Sequence, residues 1–285
     1  MRVAFLGLGR MGVAMAAHVA AAGHDLAVWN RTPGKAGDLE PLSQPTVAAA
    51  VEGADAVVLM LFGPDAVREV LAEVVQHAPG ALVVDSSTVG PEAAREFEKA
   101  CTAAGLRYVD APVAGSVKPA TDGTLGVFVG GSDEDFAAAE PLLHLWGDPD
   151  RVRHVGAVGS ASALKLCVNQ SLGVMAAGLG ESLRLGRDLG LDSALLLEVL
   201  GQTGYGWFLS QKRPMLDADD FPSTTFSVDL MAKDPDLAVR SADSDLAVTR
   251  ACLEQAQRTV EAGHSGEDYA AITGHLASEG EAGSQ

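Results

Sequence analysis

Lys165 and Asn169 stand four residues apart in the glycine-led stretch GAVGSASALKLCVNQS, residues 156–171. On a helix that spacing projects both side chains from one face. An ammonium and a carboxamide aimed together into a cleft between two domains have the chemistry to bind a small polar molecule or exchange a proton with it. A Lys/Asn pair at this spacing is ordinarily just a solvated face, so its meaning depends on what else the chain supplies. The charge background is acidic: 20 Lys and Arg stand against 38 Asp and Glu, a net charge of -18. A cation beside a motif is conspicuous in such a chain.

A second chemistry-bearing stretch is Gly7-Leu8-Gly9-Arg10-Met11-Gly12. It follows the apolar run 3–7 (VAFLG) and opens a helix-like segment ending near Gly23; Asp25–Trp29 (DLAVW) then reads as another strand. A lone GxGxxG is weak in a chain with 32 glycines, but inside a βαβ unit it has a mechanism. The glycines permit a tight turn and close approach of backbone to a pyrophosphate resting on the N–H groups of the helix start. At the end of the second strand an NAD site usually carries an acid for the ribose hydroxyls. Here Asn30-Arg31-Thr32 stands there, with no acid until Asp38. A guanidinium and a hydroxyl suit a 2′-phosphate that a carboxylate would repel, so NADP(H) is the expected cofactor; the alternative is that Arg31 is a solvated turn residue.

The elements that must position these groups alternate through the first half. Strands are expected at 56–61, 81–85, 107–110 and 127–129, and helices at 64–77, from Pro91 through about Ala104, and at 134–145. Ser87 and Thr88 lie in a loop at a strand's carboxyl end, where ligands bind in open α/β sheets, although SST before a helix is also a capping sequence. Residues 110–125, DAPVAGSVKPATDGTL, read as a long polar loop in which the Gly115-Ser116 backbone, the Ser116 hydroxyl and the Lys118 ammonium could hold a carboxylate. After Val155 strand signals end. Residues 160–189 read as one helix of roughly 45 Å, whose Gly173, Gly178, Gly180 and Gly186 imply close packing or a break near Gly178. Further helices are expected at about 192–202, 228–243, 246–262 and 267–277, and the closing EGEAGSQ as a disordered tail. This gives two domains, 1–158 and 159–285.

Composition excludes several classes. The acidic charge is spread over both halves, which offers no basic surface for nucleic acid or an anionic membrane. No apolar run approaches the ~20 residues of a bilayer span. MRVAFLG leads straight into a strand rather than a signal-peptide core. Cys101, Cys167 and Cys252 lack metal or disulfide spacing and read as buried thiols of a reducing compartment. A cytoplasmic enzyme without a metal site is the expectation.

With these motifs in order, the chain resembles the β-hydroxyacid dehydrogenase family over essentially residues 1–277. The resemblance rests on GLGRMG, on DAPVAGSVKPATDGTL, on the stretch ending in Lys165 and Asn169, and on MAKDPDLAV with Lys233-Asp234; GHSGEDYAAI around Asp268 is a weaker match. It implies a Rossmann-type doubly wound α/β domain joined by a long interdomain helix to an all-α domain that builds the interface of a homodimer or homotetramer. It further implies Lys165 as catalytic lysine and Asn169 as its substrate-positioning partner. Thr88 and Lys233 match positions that touch the cofactor. Ser116 and Asp234 match positions for substrate binding or site organisation, and Phe226 a wall of the pocket. Two departures stand out: Ala114-Gly115-Ser116 replaces the frequent Ser-Gly-Gly, and Val168 replaces a second asparagine. The Gly-Ser-x-Lys-Pro-Ala string is closer to the glyoxylate/succinic semialdehyde reductase branch than to 3-hydroxyisobutyrate dehydrogenase. The implied reaction is hydride transfer between NADP(H) and a small carboxylate-bearing carbonyl or hydroxy acid, with Lys165 as general acid/base. An imine reductase, which usually carries another residue at the Lys165 position, and a non-catalytic NADP-binding protein are the rivals.

Overall fold

The structure, a computed structural model, describes residues 1–222 and 226–278, so the tail expected at 279–285 lies outside the described residues. Short apolar strands alternate with helices through the first half: β1 (Arg2–Leu6), α1 (Arg10–Ala21), β2 (Asp25–Trp29), α2 (Val47–Val51), β3 (Ala56–Leu59), α3 (Pro64–His77), β4 (Leu82–Asp85), α4 (Pro91–Ala103) and β5 (Arg107–Asp110). Then come β6 (Val113–Ala114), α5 (Val117–Asp122), β7 (Leu125–Gly130), α6 (Asp133–Leu143) and β8 (Gly147–Gly156). Proline at the first position of α3 and of α4 sets the helical φ where no N–H partner is needed.

Every residue of β3 and β4 is buried, as expected of strands covered on both faces. Alternation divides them between two cores. Val3, Phe5, Val58 and Val84 pack with Met15, Ala16 and Val19 of α1. Ala4, Leu6, Val57 and Val83 pack with Val67, Val70 and Leu71 of α3 and Phe97 of α4. The strand order is β2-β1-β3-β4-β5-β7-β6, with β8 beside β7. Strands β1 to β5 run parallel, while β7 is antiparallel to β5. The chain leaves β1 for β2 on one side and returns to β3 on the other. This reversal makes the carboxyl ends of β1 and β3 the crevice where such sheets bind ligands.

The second half is helical: α7 (Ser160–Asp188), α8 (Ser193–Leu200), α9 (Gly206–Ala218), α10 (Val228–Ser241), α11 (Ala247–Thr259) and α12 (Ala271–Ser278). Helix α7 is unbroken at Gly178. Its glycines admit neighbours: a Cβ on Gly173 would lie 2.7 Å from Met231 Sδ and 2.9 Å from Cys252 Sγ, and one on Gly180 2.9 Å from the Thr273 carbonyl oxygen. By compactness the chain divides into Met1–Lys165 and Leu166–Gln285, a division that falls inside α7.

Several local expectations need correction. Residues 110–125 are not a loop: they hold β6 and α5, and α5 ends at Gly123 in the left-handed region with φ 71°. Strand β8 escapes a hydropathy reading because its middle, DPDRVRH, is largely exposed. Cys167 is exposed on α7, whereas Cys101 and Cys252 are buried. Helix α9, with Pro214 inside it, has no counterpart among the expected elements; it buries Phe208, Leu209 and Lys212.

Candidate active site

At the carboxyl end of β1 the chain turns through Gly7 with φ 105°, and a Cβ there would collide with the Met60 carbonyl. A Cβ on Gly12 would fall on the carbonyl oxygen of Gly7, so these two glycines make the turn itself possible. Gly9 differs: a Cβ there would meet no protein atom within 4 Å. Leu8 is buried and Met11 packs on the core, so the turn presents main chain and the exposed Arg10. Gly9 is the N-cap of α1 and brings no side-chain acceptor, and the first turn of α1 holds no acid. Open N–H groups at a helix start without competing carboxylate fit a pyrophosphate.

The residues after β2 divide into two roles. Asn30 Oδ1 accepts the Leu8 N–H at 2.9 Å and Asn30 Nδ2 donates to the Thr32 carbonyl at 2.8 Å. Its amide therefore braces the glycine turn against the end of β2. Arg31 and Thr32 are exposed, and Asp38 lies in a separate 3₁₀ turn, Gly37–Leu42.

At the ends of β3 and β4 the SST sequence is not a helix cap. Helix α4 begins with Gly90 as N-cap and no side-chain cap bond. Instead the Ser87 hydroxyl accepts the Leu61 N–H at 2.9 Å, and the Ser87 N–H donates to Asp85 Oδ1 at 2.9 Å. Thr88 is half-buried beyond this brace. Asp85 also accepts Tyr108 Oη–H at 3.0 Å. Burial pushes the Asp85 carboxyl up to about 6, against the pull of the Ser87 and Tyr108 hydrogen bonds. In-register beside it stands Asp110, 1% exposed, which accepts the Gly159 N–H at 2.9 Å and the Ser162 N–H at 2.7 Å. Burial raises its carboxyl too, opposed by those two N–H groups.

Lys165 is half-buried on α7 and Asn169, one turn on, is 2% exposed. Asn169 Nδ2 donates to Asp234 Oδ2 of α10, and Lys233 Nζ donates to Asp234 Oδ1 at 2.5 Å. Asp234, 1% exposed, thus ties the site helix to α10. A carboxylate at that depth is stabilised by a cation and by hydrogen-bond donors, and it has both. Because the donor end of the Asn169 amide is turned to Asp234, its oxygen end is directed elsewhere.

The remaining expected residues are placed less tightly. Gly115 (φ 137°) is exposed and Ser116 half-buried. Ser116 precedes α5 without capping it. The segment is held to α1 by His18 Nε2, 2.9 Å from the Ala120 carbonyl oxygen. Lys118 is exposed and paired with Asp122 at 2.6 Å on the surface of α5. Phe226 packs edge-on to Tyr269, ring centroids 6.0 Å apart. Among the described residues no group of three His, Cys, Asp or Glu is placed to hold a metal ion, and no helix is long and apolar enough to cross a membrane.

Sequence reasoning missed Asp85, Asp110, Tyr108 and the Lys212–Asp268 ion pair, 2.7 Å long and buried. An acid closing a short strand, as in LVVD and RYVD, was the available signal for the first two.

A family model described as the NAD binding domain of 6-phosphogluconate dehydrogenase matches residues 2–159. One described as NAD-binding of NADP-dependent 3-hydroxyisobutyrate dehydrogenase matches residues 159–276. The chain is 37% identical over 292 residues to 3-hydroxyisobutyrate dehydrogenase of Pseudomonas aeruginosa, covering 95% of this chain and 96% of that protein. It is 33% identical over 262 residues to the NAD-dependent L-serine dehydrogenase of the same organism, covering 87% of each. The solved structure of Mycobacterium tuberculosis 3-hydroxyisobutyrate dehydrogenase with L-serine superposes with a TM-score of 0.85 at 30% identity, over 96% of this chain and 98% of that one.

Proposed function

Because the chain belongs to the β-hydroxyacid dehydrogenase family, an NAD(P)-dependent group of oxidoreductases, we propose that it interconverts a small hydroxy acid and its aldehyde or semialdehyde with NADP(H), Lys165 acting as general acid/base. The observation that carries this reading is the buried Asn169–Asp234–Lys233 chain of hydrogen bonds, which fixes a carboxamide one helical turn from Lys165. The cofactor, when bound, supplies or takes up the hydride. Gly9, Arg10 and Met11 hold its pyrophosphate by the main chain at the start of α1, on the turn that Gly7, Leu8 and Gly12 close, with Thr88 and Lys233 as the further cofactor residues of this reading.

As carbonyl becomes alkoxide, Lys165 donates a proton from its ammonium; in the oxidative direction its amine removes the hydroxyl proton. The Asn169 amide orients the reacting oxygen. Gly115 and Ser116 receive the substrate carboxylate, Lys118 adds a positive charge at its approach, and Phe226 with Asp234 shapes the site. A carboxylate bearing a β-hydroxyl is supported by the names of the relatives, 3-hydroxyisobutyrate and L-serine dehydrogenase. The Gly115-Ser116-Val117-Lys118 sequence adds glyoxylate and succinic semialdehyde as candidates. Preference for NADP(H) is supported by exposed Arg31 and Thr32 after β2, with no carboxylate between Asn30 and Thr32. A homo-oligomer is supported by exposed Leu185 of α7, Leu189 just past its end, Leu195 and Val199 of α8 and Trp207 of α9, which a second copy would cover.

The test follows NAD(P)H absorbance with 3-hydroxyisobutyrate, L-serine, glyoxylate and succinic semialdehyde, in wild type and Lys165→Ala. Turnover of at least one compound is expected, falling about 10²–10⁴-fold in the variant with NADPH binding kept. Unreduced turnover in Lys165→Ala would remove the lysine from the mechanism.

A further inference from the structure

Gly159, the residue before the first residue of α7, has no side chain with which to cap the helix. The Gly159 and Ser162 N–H groups are instead both taken by the carboxylate of Asp110, 49 and 52 residues earlier in the chain. That carboxylate closes β5, so it stands on the carboxyl edge of the parallel sheet, in register with Asp85. A local cap would fix a helix only to itself; a cap from a strand fixes the helix start to the sheet. Two bonds, at residues one turn apart on a rigid helix, also set the rotation of the helix about its axis. Lys165 follows Ser162 by three residues, about 4.5 Å along the axis at 1.5 Å per residue, and lies on nearly the same face. The space for this arrangement is reserved elsewhere in the sequence. Gly130 pairs with Asp110 across β7, and a Cβ there would strike the Asp110 carboxylate and lie 2.9 Å from the Ala157 carbonyl oxygen. Placing an anion 1% exposed at this point costs desolvation energy that a serine or asparagine cap on α7 would avoid.

We propose that Asp110 is a positioning residue for the reaction: its carboxylate clamps the start of α7 to the edge of the sheet and thereby aims Lys165. This rests on the reading of Lys165 as the general acid/base. It makes the acid of the DAPVAGS segment a part of the catalytic apparatus that touches neither substrate nor cofactor. Asp110→Asn is the informative change, because the amide keeps the volume and one acceptor while turning an NH₂ toward the second N–H. Three measurements on the full chain decide the matter, using whichever compound of the panel the wild type turns over.

In Asp110→Asn, kcat should fall about 10–100-fold, with the NADPH dissociation constant unchanged within twofold. Amide exchange at residues 159–163 should accelerate while exchange in β1 and β3 stays as in wild type. In a Lys165→Ala background the same substitution should change the residual rate by less than twofold, because there is no lysine left to aim. A kcat unchanged in Asp110→Asn, or an equal loss in both backgrounds, or unaltered exchange at 159–163, overturns the proposal. Undiminished turnover in Lys165→Ala alone would instead defeat the functional reading, and with it the aim ascribed to Asp110, even if the exchange result showed the clamp. Should Asp110→Asn fail to fold, Gly130→Ala, which displaces the carboxylate without removing it, replaces it in all three measurements with the same expected outcomes.

Discussion

Between Gly7 and Gly12 the chain offers a ligand its own backbone, whereas around Asp234 it offers side chains held on one another. The first arrangement depends on atoms that are missing: no Cβ on Gly7 or Gly12, so that the turn closes, and none on Gly9, so that the turn stays open outward. The second depends on atoms that are present and charged, an acid 1% exposed that accepts from Asn169 and from Lys233. A backbone site loses function when something is added to it. A side-chain site loses function and stability when something is taken away.

The largest expected effect lies on the side-chain side. Asp234→Ala removes the acceptor that the Asn169 amide and the Lys233 ammonium share. Breaking a buried ionic hydrogen-bond chain by deleting one member costs about 3–5 kcal/mol. Equilibrium urea unfolding should show that loss in midpoint, together with a fall in kcat as Asn169 is released. A variant as stable as wild type would mean that the cluster is not held by its charges, and the contrast between the two regions would collapse.

The sheet domain contains its own buried acid, and it sharpens the comparison. Asp85 has neutral partners, Tyr108 Oη and the Ser87 N–H, where Asp234 has Lys233. Its carboxyl is raised to about 6 by burial, from an ordinary 3.8. A folded value above the unfolded one means that the native state holds the proton longer. The stability from protonated Asp85 is therefore fully present below pH 3.8 and is lost as pH rises through 6, an amount of about 3 kcal/mol. Asp85→Asn, which stays neutral throughout, should flatten that part of the profile. The difference in unfolding free energy between variant and wild type should grow in the variant's favour from pH 4 to pH 7. Asp110 moves in the same direction and remains in both proteins. A difference independent of pH would show that Asp85 stays ionised in the fold.

The same contrast explains what could be read without the structure. The glycine turn was legible because main-chain geometry leaves a local mark: a strand, three spaced glycines and a helix within one βαβ unit. The parallel sheet was legible for a similar reason, since strands buried on both faces are continuous apolar runs. Asn169, Lys233 and Asp234 carried no such mark. Sixty-five positions separate the two ends of the Asn169–Asp234 bond, and only likeness to a family joined them. Residues 110–125 misled because Gly115, Pro119 and Gly123 are loop formers by composition, yet Gly123 ends α5 and Gly115 supplies the turn before it. Asn30 carries a second role that its position did not announce: its side-chain amide braces Leu8 and Thr32.

On the backbone side, two glycines separate the making of the turn from its use. Gly12→Ala places a methyl on the Gly7 carbonyl oxygen and should lower the melting temperature of the free protein. Gly9→Ala meets no protein atom within 4 Å and should leave the melting temperature unchanged. A methyl in the approach to a pyrophosphate costs about 1–3 kcal/mol of binding, so NADPH titration by fluorescence should show a dissociation constant raised on the order of 10–100-fold. Equal effects of the two substitutions on stability would deny that Gly9 is kept open for a ligand.

The smallest effect tests where backbone binding gives way to side-chain choice. Arg31 is exposed beyond β2 and Asn30, its neighbour, is fixed in the brace, so under the proposed NADP(H) reading the guanidinium is the group to test for discrimination between the two cofactors. An exposed charge-assisted hydrogen bond to a phosphate contributes about 1.5 kcal/mol, roughly tenfold. Arg31→Ala should therefore lower kcat/KM for NADPH about tenfold and leave kcat/KM for NADH as it was. The gap between wild type and variant should narrow as salt is raised, because water-exposed charges are screened over about 10 Å at 0.1 M. A parallel loss with both cofactors would instead place Arg31 at the shared pyrophosphate. Selectivity would then have to come from Thr32, the remaining exposed side chain of the Asn30-Arg31-Thr32 sequence.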